Sequence, residues 1–463
     1  MEFNKSNKFI LIVLLISIIF FVFSGVVGAA SEIDLNDDLY SSYFDDDGNI
    51  LTDSLSDGDT LKINGDINNK KFIISKSLNV VGSGDGKLYN SSIKVLSGGS
   101  GTNISNLNFE NYKDDVYGVY LFNSTNNMIS NCNFLMTSKG SGYGVVLAYS
   151  NYNIIKSNNF TMNLHSFDSG MDPRASSGIV LGGSSYNTIE RNILSSNGSN
   201  PIYLSGYGFL DFSTGKSEFN NIIYNTVYSG TTTWCYAIQI MGNYNNISYN
   251  NVNKGNRGIS DSGSYNIISF NNVSYSTNGI IGGNNGLIFN NNINGVGNDL
   301  GIQIGSNSKV YDNTISVING NALKISNSNN VNISFNQIHG ESTLLDIFGQ
   351  SNDILISFNN FTSKKGTSIL ITKQSKTKYP KNIIISENTI NSSSTSPGIY
   401  SINALESDDS LVIDNNNIIA GSILSPSGEI EEVLLGFNGI TYNITNDNFY
   451  DYFESDGKLK SGL

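Results

Sequence analysis

The sequence has few of the residues that interrupt strands, hold transition metals or attract nucleic acid. It contains five prolines, two histidines, two cysteines and one tryptophan, and its three arginines are Arg174, Arg191 and Arg257. The formal charge of −13 opposes contact with nucleic acid phosphates. The histidines lie too far apart in the chain to suggest a zinc or copper site. We therefore predict no nucleic acid partner and no cofactor, and leave open calcium at an unassigned site.

The first thirty residues differ from the rest of the chain. Lys5 and Lys8 precede an apolar run over residues 9–27, and small residues follow near Ala30. This pattern predicts a secretory signal peptide over residues 1–30, so the remaining chain is expected to be secreted or held at the cell surface. The apolar run is also long enough for an uncleaved membrane anchor, which would be the chain's one contact with a membrane.

One short pattern recurs along most of the chain. It reads Asn-x-Ile-x-x-Asn-x-apolar and can be placed thirteen times, at spacings of 20 to 34 residues. The second Asn is present in eleven copies, and Leu107 and Cys132 take its place in the other two. A small residue followed by apolar-x-apolar precedes most copies. The isoleucine positions are Ile104, Ile129, Ile155, Ile189, Ile222, Ile247, Ile268, Ile288, Val310, Ile333, Ile356, Ile385 and Ile413.

This repeat predicts an all-β fold. A period of this length with alternating apolar positions indicates a solenoid in which each repeat forms one coil. Three short strands per coil, stacked in parallel, make a parallel β-helix, and parallel crossovers favour right-handed winding. We predict about thirteen coils with an asparagine ladder, in which side-chain amides pair from coil to coil. We also expect these asparagines to adopt the left-handed backbone that a tight corner needs.

The repeats divide the chain into regions. We place the β-helix at residues 101–422, preceded by an N-terminal segment and cap at 31–100. The phrase at Tyr452–Leu459 echoes the one at Tyr43–Ile50, so residues 423–463 are expected to begin a truncated second module. The two cysteines fall on coils too far apart for a disulfide at a strand spacing of about 4.8 Å, which predicts two free, buried thiols.

Several features together resemble a known family. The signal peptide, the "DGDTL" segment at Asp57–Leu61, the "NISFN" coils and the repeated "YF-x-x-DG" phrase resemble the adhesin-like cell-surface proteins of methanogenic archaea. The resemblance implies a β-helix of the pectin-lyase-like superfold. Many proteins of that superfold act on polysaccharides, so catalysis has to be tested on the residues themselves.

The middle residues of the small-apolar-x-apolar segments are expected to face outward as one row. A glycoside hydrolase needs two carboxylates about 5 to 10 Å apart. The row holds one, Asp346, and its neighbour Lys324 is expected to form a surface ion pair with it. The row reads Tyr120, Val146, Val180, Tyr203, Gln239, Ser260, Ile281, Gln303, Lys324, Asp346, Leu370 and Tyr400.

The longest insertion, Thr161–Ser177, supplies the candidate site. Its "MDPR" resembles the Asp-Pro-His-Asp signature of alginate epimerases but lacks the His and the second Asp. Aromatic residues on the next coils suit sugar rings, although a solvated insertion and simple packing of the aromatics are the alternatives. We predict no catalytic residue, and a ligand-binding set of His165, Asp172, Arg174, Tyr203, Tyr207 and Trp234.

Three functional hypotheses follow. The first is a secreted or cell-surface, non-catalytic adhesin-like protein that binds polysaccharide or cell-surface glycan. The second is a lyase, hydrolase or epimerase acting on acidic polysaccharide. The third is a structural component of the cell envelope.

Overall fold

The structure is a computed structural model, and it describes most of the chain after the N-terminal segment. The described residues are 30–113, 116–138, 142–164, 176–198, 200–205, 215–230, 235–296, 300–372, 374–375, 378, 380–392, 398–402, 411–419, 432–435 and 442–444.

The described residues form three long sheets and two short 3-10 helices, Tyr40–Ser42 and Ser97–Gly99. Strands are numbered in chain order. Sheet 1 contains β1 (Glu32–Leu35), β2 (Thr60–Asn64), β5 (Asn79–Ser83), β8 (Asn103–Ser105), β11 (Met128–Ser130), β14 (Ile154–Lys156), β17 (Thr188–Glu190), β20 (Asn221–Ile223), β23 (Asn246–Ser248), β26 (Ile267–Ser269), β29 (Leu287–Phe289), β32 (Lys309–Tyr311), β35 (Val331–Ser334), β38 (Asn352–Ser357), β41 (Lys381–Ser386), β44 (Leu411–Asp414) and β47 (Tyr442–Ile444).

The other two sheets have fifteen strands each. Sheet 2 contains β4 (Lys71–Ile74), β7 (Ser92–Val95), β10 (Val116–Phe122), β13 (Gly142–Ala148), β16 (Ser176–Gly182), β19 (Asn200–Leu204), β22 (Tyr236–Ile240), β25 (Arg257–Asp261), β28 (Asn278–Ile281), β31 (Leu300–Ile304), β34 (Asn321–Ser326), β37 (Leu345–Phe348), β40 (Ile369–Thr372), β43 (Ile399–Ile402) and β46 (Glu432–Leu435). Sheet 3 contains β3 (Ile67–Asn68), β6 (Lys87–Tyr89), β9 (Asn108–Asn111), β12 (Asn133–Ser138), β15 (Asn159–Leu164), β18 (Ile193–Ser196), β21 (Thr226–Tyr228), β24 (Asn251–Asn253), β27 (Asn272–Ser274), β30 (Asn292–Val296), β33 (Thr314–Val317), β36 (Gln337–Gly340), β39 (Asn360–Ser363), β42 (Thr389–Asn391) and β45 (Asn417–Ile419).

These sheets form the parallel β-helix that the repeat predicts. From β10 to β45 the chain visits sheets 2, 1 and 3 in turn, and these strands pair with one another in parallel, each with the strand one coil away. The thirteen repeat anchors occupy thirteen consecutive strands of sheet 1, from β8 to β44, and pair with one another in register. The side chains of the twelve anchors from Ile104 to Ile385 are buried in the core, where for example Ile247 and Ile333 are fully buried. The prediction of an all-β solenoid of about thirteen coils is confirmed.

The two ends of the stack of coils differ in their strand pairing. Strands β1, β2 and β5 already belong to sheet 1, so parallel pairing begins inside the segment 31–100 that the sequence assigns to a cap. Tyr40, Phe44 and Phe72 pack against one another there, with ring centroids 5.2–5.4 Å apart. At the other end, β46 and β47 pair antiparallel with β43 and β44.

The asparagine ladder lies at the corner between sheets 1 and 3. Asn250 donates its backbone N–H (2.9 Å) and its Nδ2 (3.0 Å) to Oδ1 of Asn271. Asn271 Nδ2 in turn donates to the carbonyl of Ile247 (2.8 Å) and to Oδ1 of Asn291 (3.0 Å). Each amide therefore satisfies buried backbone groups as well as the next amide. The ladder consists of Asn158, Asn192, Asn225, Asn250, Asn271, Asn291, Asn313, Asn336, Asn359, Asn388 and Asn416.

The left-handed backbone at this corner belongs to a different residue. It is found one position before the ladder, as at Ser157 (φ 55°), Tyr249 (φ 59°) and Phe270 (φ 55°). The expectation that the ladder asparagines themselves adopt it is therefore wrong. These positions accept serine and aromatic residues despite the steric cost of a positive φ, so the asparagine is required for its amide alone.

A second asparagine ladder lies at the corner that leads from sheet 2 into sheet 1. Asn153, for example, donates its backbone N–H (2.8 Å) and Nδ2 (3.1 Å) to Oδ1 of Asn187. These residues are the first Asn of the repeat pattern, to which the sequence analysis gave no role. The ladder consists of Asn127, Asn153, Asn187, Asn220, Asn245 and Asn266.

Aromatic rings stack outside both corners. The residues just before the second ladder include Tyr152, Tyr186, Phe219, Tyr244 and Tyr265, whose neighbouring ring centroids are 5.0–5.1 Å apart. Each ring is 41–55% exposed. Because the ring faces cover one another, the stack presents ring edges to solvent and contributes to holding the left-handed corners.

One carboxylate interrupts an apolar column. Asp261 pairs in register with Ile240, which pairs with Leu204, yet only 3% of Asp261 is exposed. Its Oδ1 accepts hydrogen bonds from the backbone of Gly263 (2.8 Å) and from Asn266 Nδ2 (2.8 Å). Burial raises the pKa of this carboxyl to about 6, against the opposing effect of these donors.

Both cysteines are free and buried, as predicted. Cys132 occupies a ladder position, where its backbone N–H donates to Oδ1 of Asn158 (2.9 Å), and burial raises the pKa of its thiol to about 12. We expect neither thiol to react with a thiol-specific reagent at pH 8 in the native protein, because the thiolate is the reactive form and neither side chain is accessible. Both should react in denaturant. Rapid labelling of native protein would contradict this packing.

Candidate functional site

The outward face of sheet 2 holds the predicted row of residues in the predicted order. Successive strands pair Tyr120 with Val146, Val180 with Tyr203, and Gln303 with Lys324. The same register continues through Asp346 and Leu370. The row is therefore a continuous line along the rod, with one residue per coil.

The first part of this face is an aromatic cluster separate from the core. Tyr143, Val146, Ala148, Val180 and Tyr203 are buried within it, and the partly buried residues packed against them are Tyr117, Tyr120, Phe122, Tyr149 and Met241. The cluster fills the outward side of strands β10 to β19.

Tyr203 is the one predicted ligand residue that lies in the described part of the chain. It faces outward as expected, but it is 3% exposed, and its hydroxyl donates to Met241 Sδ at 3.3 Å. Its contact with a ligand stays a prediction. His165, Asp172, Arg174, Tyr207 and Trp234 lie outside the described residues.

A cation and two phenols border this cluster. Lys94 Nζ lies 5.1 Å from the ring centroid of Tyr120 and 5.3 Å from that of Phe122. Burial raises the pKa of Tyr117 and of Tyr120, so both phenols stay protonated and can donate hydrogen bonds across the neutral range.

The middle of the face is polar. Asn200 Nδ2 donates to Gln239 Oε1 at 2.7 Å. The guanidinium of Arg257 lies 4.7 Å from the ring centroid of Tyr236 and donates through Nη1 to Ser260 Oγ at 3.2 Å. These contacts hold Arg257 against the strands.

The last part of the face contains a depression of about 640 Å³. It lies across β28, β31 and β34, and two outward columns line it, one of them the predicted row. The other column was not predicted from the sequence, and in it Asn278, Leu300 and Asn321 pair in register. Each residue of this column stands three positions before a residue of the predicted row in the sequence, and that regular spacing could have identified the column. The lining residues are Asn278, Leu300, Gln303, Gly320, Asn321, Lys324 and Ser326.

A partly buried ion pair borders the depression. Lys324 Nζ lies 3.7 Å from Asp346 Oδ2, as the sequence predicted, and Asn321 Nδ2 donates to the same oxygen at 3.3 Å. Burial raises the pKa of Asp346, and the nearby ammonium opposes that rise. Amides, a hydroxyl and an ammonium thus converge on one site, which suits sugar hydroxyls or a carboxylate.

Carboxylates and metal-ligating side chains are sparsely placed in the described part of the chain. Along the predicted row Asp346 is the single carboxylate, which is one fewer than glycoside hydrolysis needs. In the described ranges, histidines, cysteines and carboxylates do not gather in groups of three that could hold a metal ion. No helix among the described residues is both long and apolar enough to cross a membrane.

Comparison with known proteins concerns the fold. Residues 91–273 match the family model for a right handed beta helix region. No curated protein matches the chain. Among solved structures, PfbA, a surface adhesin of Streptococcus pneumoniae, is 11% identical with a TM-score of 0.40, over 84% of this chain and 91% of that one.

Two polysaccharide-modifying proteins match similarly. The A-module of the mannuronan C-5 epimerase AlgE4 of Azotobacter vinelandii is 11% identical with a TM-score of 0.39, over 73% of this chain and 87% of that one. A mannuronic acid specific family 6 lyase from human gut microbiota is 12% identical with a TM-score of 0.42, over 78% and 80%. Similarity at this level carries no conclusion about fold, ligand or reaction.

Proposed function

We propose that the protein is a non-catalytic, adhesin-like rod that is secreted or held at the cell surface and binds glycans on the outward face of sheet 2. The proposal includes the localisation that the N-terminal segment suggests and the family that the repeats resemble. A long rigid rod suits this role because it carries binding groups on strands, whose positions are fixed by pairing on both sides.

The observation that carries the proposal is the polar depression around Lys324. Gln303 and Lys324 come from adjacent coils of one row, and Asn321 and Ser326 flank Lys324 on β34. Amide and ammonium groups are donors that match the hydroxyl and carboxylate oxygens of sugars. The row offers Asp346 without a second carboxylate, so the arrangement favours binding over hydrolysis.

The test is binding and turnover with the purified full chain. We expect saturable binding to a panel of acidic and neutral oligosaccharides, with no cleavage and no new unsaturated ends. Lys324→Ala should weaken binding of the bound acidic member at least tenfold, since it removes the only cation that lines the described depression.

Lys309→Ala is the matched control. Lys309 is an exposed lysine at the start of β32, within the coil that also contributes Gln303, but it lies on sheet 1. Its removal changes the net charge equally and should leave binding unchanged. Turnover of any acidic polysaccharide would replace the proposal with the lyase, hydrolase or epimerase hypothesis, and absence of both signals would favour the structural role.

A further inference from the structure

The outward face of sheet 3 carries no charged residue over eleven consecutive strands. The whole chain has 26 basic and 39 acidic residues. Charges occur on the outward positions of the other sheets, for example Glu190 and Lys309 on sheet 1 and Lys324 and Asp346 on sheet 2. From β12 to β42 the outward positions of sheet 3 contain no Asp, Glu, Lys or Arg, and His339 is their one histidine.

These residues form two parallel rows. Neighbours in a row are about 4.8 Å apart along the rod, and the rows are roughly 6.7 Å apart along the strands. Eighteen of the twenty-two residues carry an amide or an aliphatic hydroxyl. The first row is Asn133, Asn159, Ile193, Thr226, Asn251, Asn272, Asn292, Thr314, Gln337, Asn360 and Thr389, and the second is Leu135, Thr161, Ser195, Tyr228, Asn253, Ser274, Asn294, Ser316, His339, Thr362 and Asn391.

The amides of the first row are ordered before any ligand arrives. Asn272 Nδ2 donates to Asn251 Oδ1 at 3.0 Å, and Asn292 Nδ2 donates to Asn272 Oδ1 at 3.0 Å. Asn251, Asn272 and Asn292 are nevertheless exposed. Each amide keeps donor and acceptor capacity facing solvent, because one amide has two donors and two acceptor lone pairs. Ordered side chains lose less conformational entropy on binding than free ones.

We propose that this face binds an extended, uncharged polysaccharide lying along the rod. Sugar hydroxyls are donors and acceptors at once, and a lattice of amides and hydroxyls can pair with them without leaving either partner unsatisfied. A face with no charge gives an acidic polymer no counter-ion. An apolar partner is disfavoured because, of the residues in the two rows, only Ile193 and Tyr228 are large exposed hydrophobics.

This site is separate from the one proposed around Lys324. The two faces belong to different sheets, and the expected ligands differ in charge. Binding at sheet 3 should change little with salt, should strengthen as the oligosaccharide is lengthened, and should survive Lys324→Ala. These three properties allow the sheet 3 site and the site around Lys324 to be tested separately, so that one proposal can fail while the other holds.

The experiment uses the full chain made in a host without N-glycosylation. The probes are a soluble neutral β-glucan with its oligosaccharide series, and alginate as the acidic comparison. The test variant combines Asn272→Asp with Thr314→Asp, which places two charges on the face two coils apart. We expect its affinity for the neutral glucan to fall at least tenfold.

The matched control combines Asn246→Asp with Thr188→Asp on sheet 1, also two coils apart. Asn246 Nδ2 donates to Asn221 Oδ1 at 3.2 Å, as Asn272 does to Asn251, so both variants remove one exposed amide hydrogen bond. Both also remove one Asn-x-Ser sequence. The control should bind like the unaltered chain, and both variants should melt within a few degrees of it.

Three results would overturn the proposal. They are no binding of the neutral glucan by the unaltered chain, equal weakening by the two double variants, and loss of neutral binding in Lys324→Ala. Weakening confined to the sheet 3 variant would support it.

Discussion

Replacement of Asn271 by alanine is expected to destabilise the protein by at least about 3 kcal/mol, because it leaves several buried groups without partners. The side chain accepts from Asn250 N–H and Nδ2, and it donates to the carbonyl of Ile247 and to Asn291 Oδ1. Each orphaned group costs about 1–3 kcal/mol in a site that water does not reach. Chemical denaturation followed by circular dichroism measures the loss as a lower midpoint.

Asn272→Ala is the control for this substitution. Asn272 is the next residue, but it faces outward and is exposed, so water can replace the two amide hydrogen bonds that it makes. Its removal should change stability by no more than about 0.5–1 kcal/mol. Similar losses from both variants would show that the ladder contributes no more than a surface amide.

Asp261→Asn is expected to stabilise the protein at pH 8 by about 3 kcal/mol less the contribution of one lost hydrogen bond, and to give no stabilisation at pH 4. The pKa of this carboxyl is raised from 3.8 to about 6 in the folded protein. The folded state therefore holds the proton more tightly than the unfolded chain does. Stability from this group is fully present below pH 3.8 and is lost as the pH rises through 6, where the buried carboxylate becomes charged.

Asparagine is uncharged like protonated Asp261, but its Nδ2 replaces the Oδ2 that accepts from Gly283 N–H at 3.3 Å, so one hydrogen bond is lost. Its Oδ1 can still accept from Gly263 N–H and Asn266 Nδ2. Denaturation midpoints at several pH values between 4 and 8 would measure the effect, and the variant should lose the part of the pH dependence that lies between 4 and 6. Asp312→Asn, at an exposed corner, is the control and should change stability by no more than about 0.5 kcal/mol. A destabilising effect of Asp261→Asn at pH 8 would contradict the assignment.

The repeating part of the fold could be predicted because every coil buries the same pattern of apolar and asparagine side chains. The thirteen anchors were placed from the repeated Asn-x-Ile-x-x-Asn-x-apolar pattern and the outward row from the small-apolar-x-apolar segments, and the observed register reproduces both. The role of each corner residue could not be read the same way. Left-handed backbone at Tyr249 or Phe270 has no signature in residue type, since aromatic side chains are ordinarily poor at positive φ.

The candidate binding sites could not be predicted in this way, because they depend on features that do not repeat from coil to coil. The depression needs Asn278, Leu300 and Asn321 to be in register, which is known only once strands are aligned. Five of the six predicted ligand residues fall in or beside insertions, where no periodic pattern constrains the backbone. Asp261 did carry a signal, because it stands where the segment "GISD" should end in an apolar residue.

The ladder also makes the length of the rod a separately adjustable property. Asn250 and Asn271 occupy the same place on neighbouring coils, 21 residues apart, and each forms hydrogen bonds with the coil before and the coil after. Removal or duplication of one such unit would rejoin identical corners and continue every column. Each unit changes the reach by about 4.8 Å. Duplication or deletion of whole coils in the gene would therefore change the length of the rod while the contacts inside each coil stay the same.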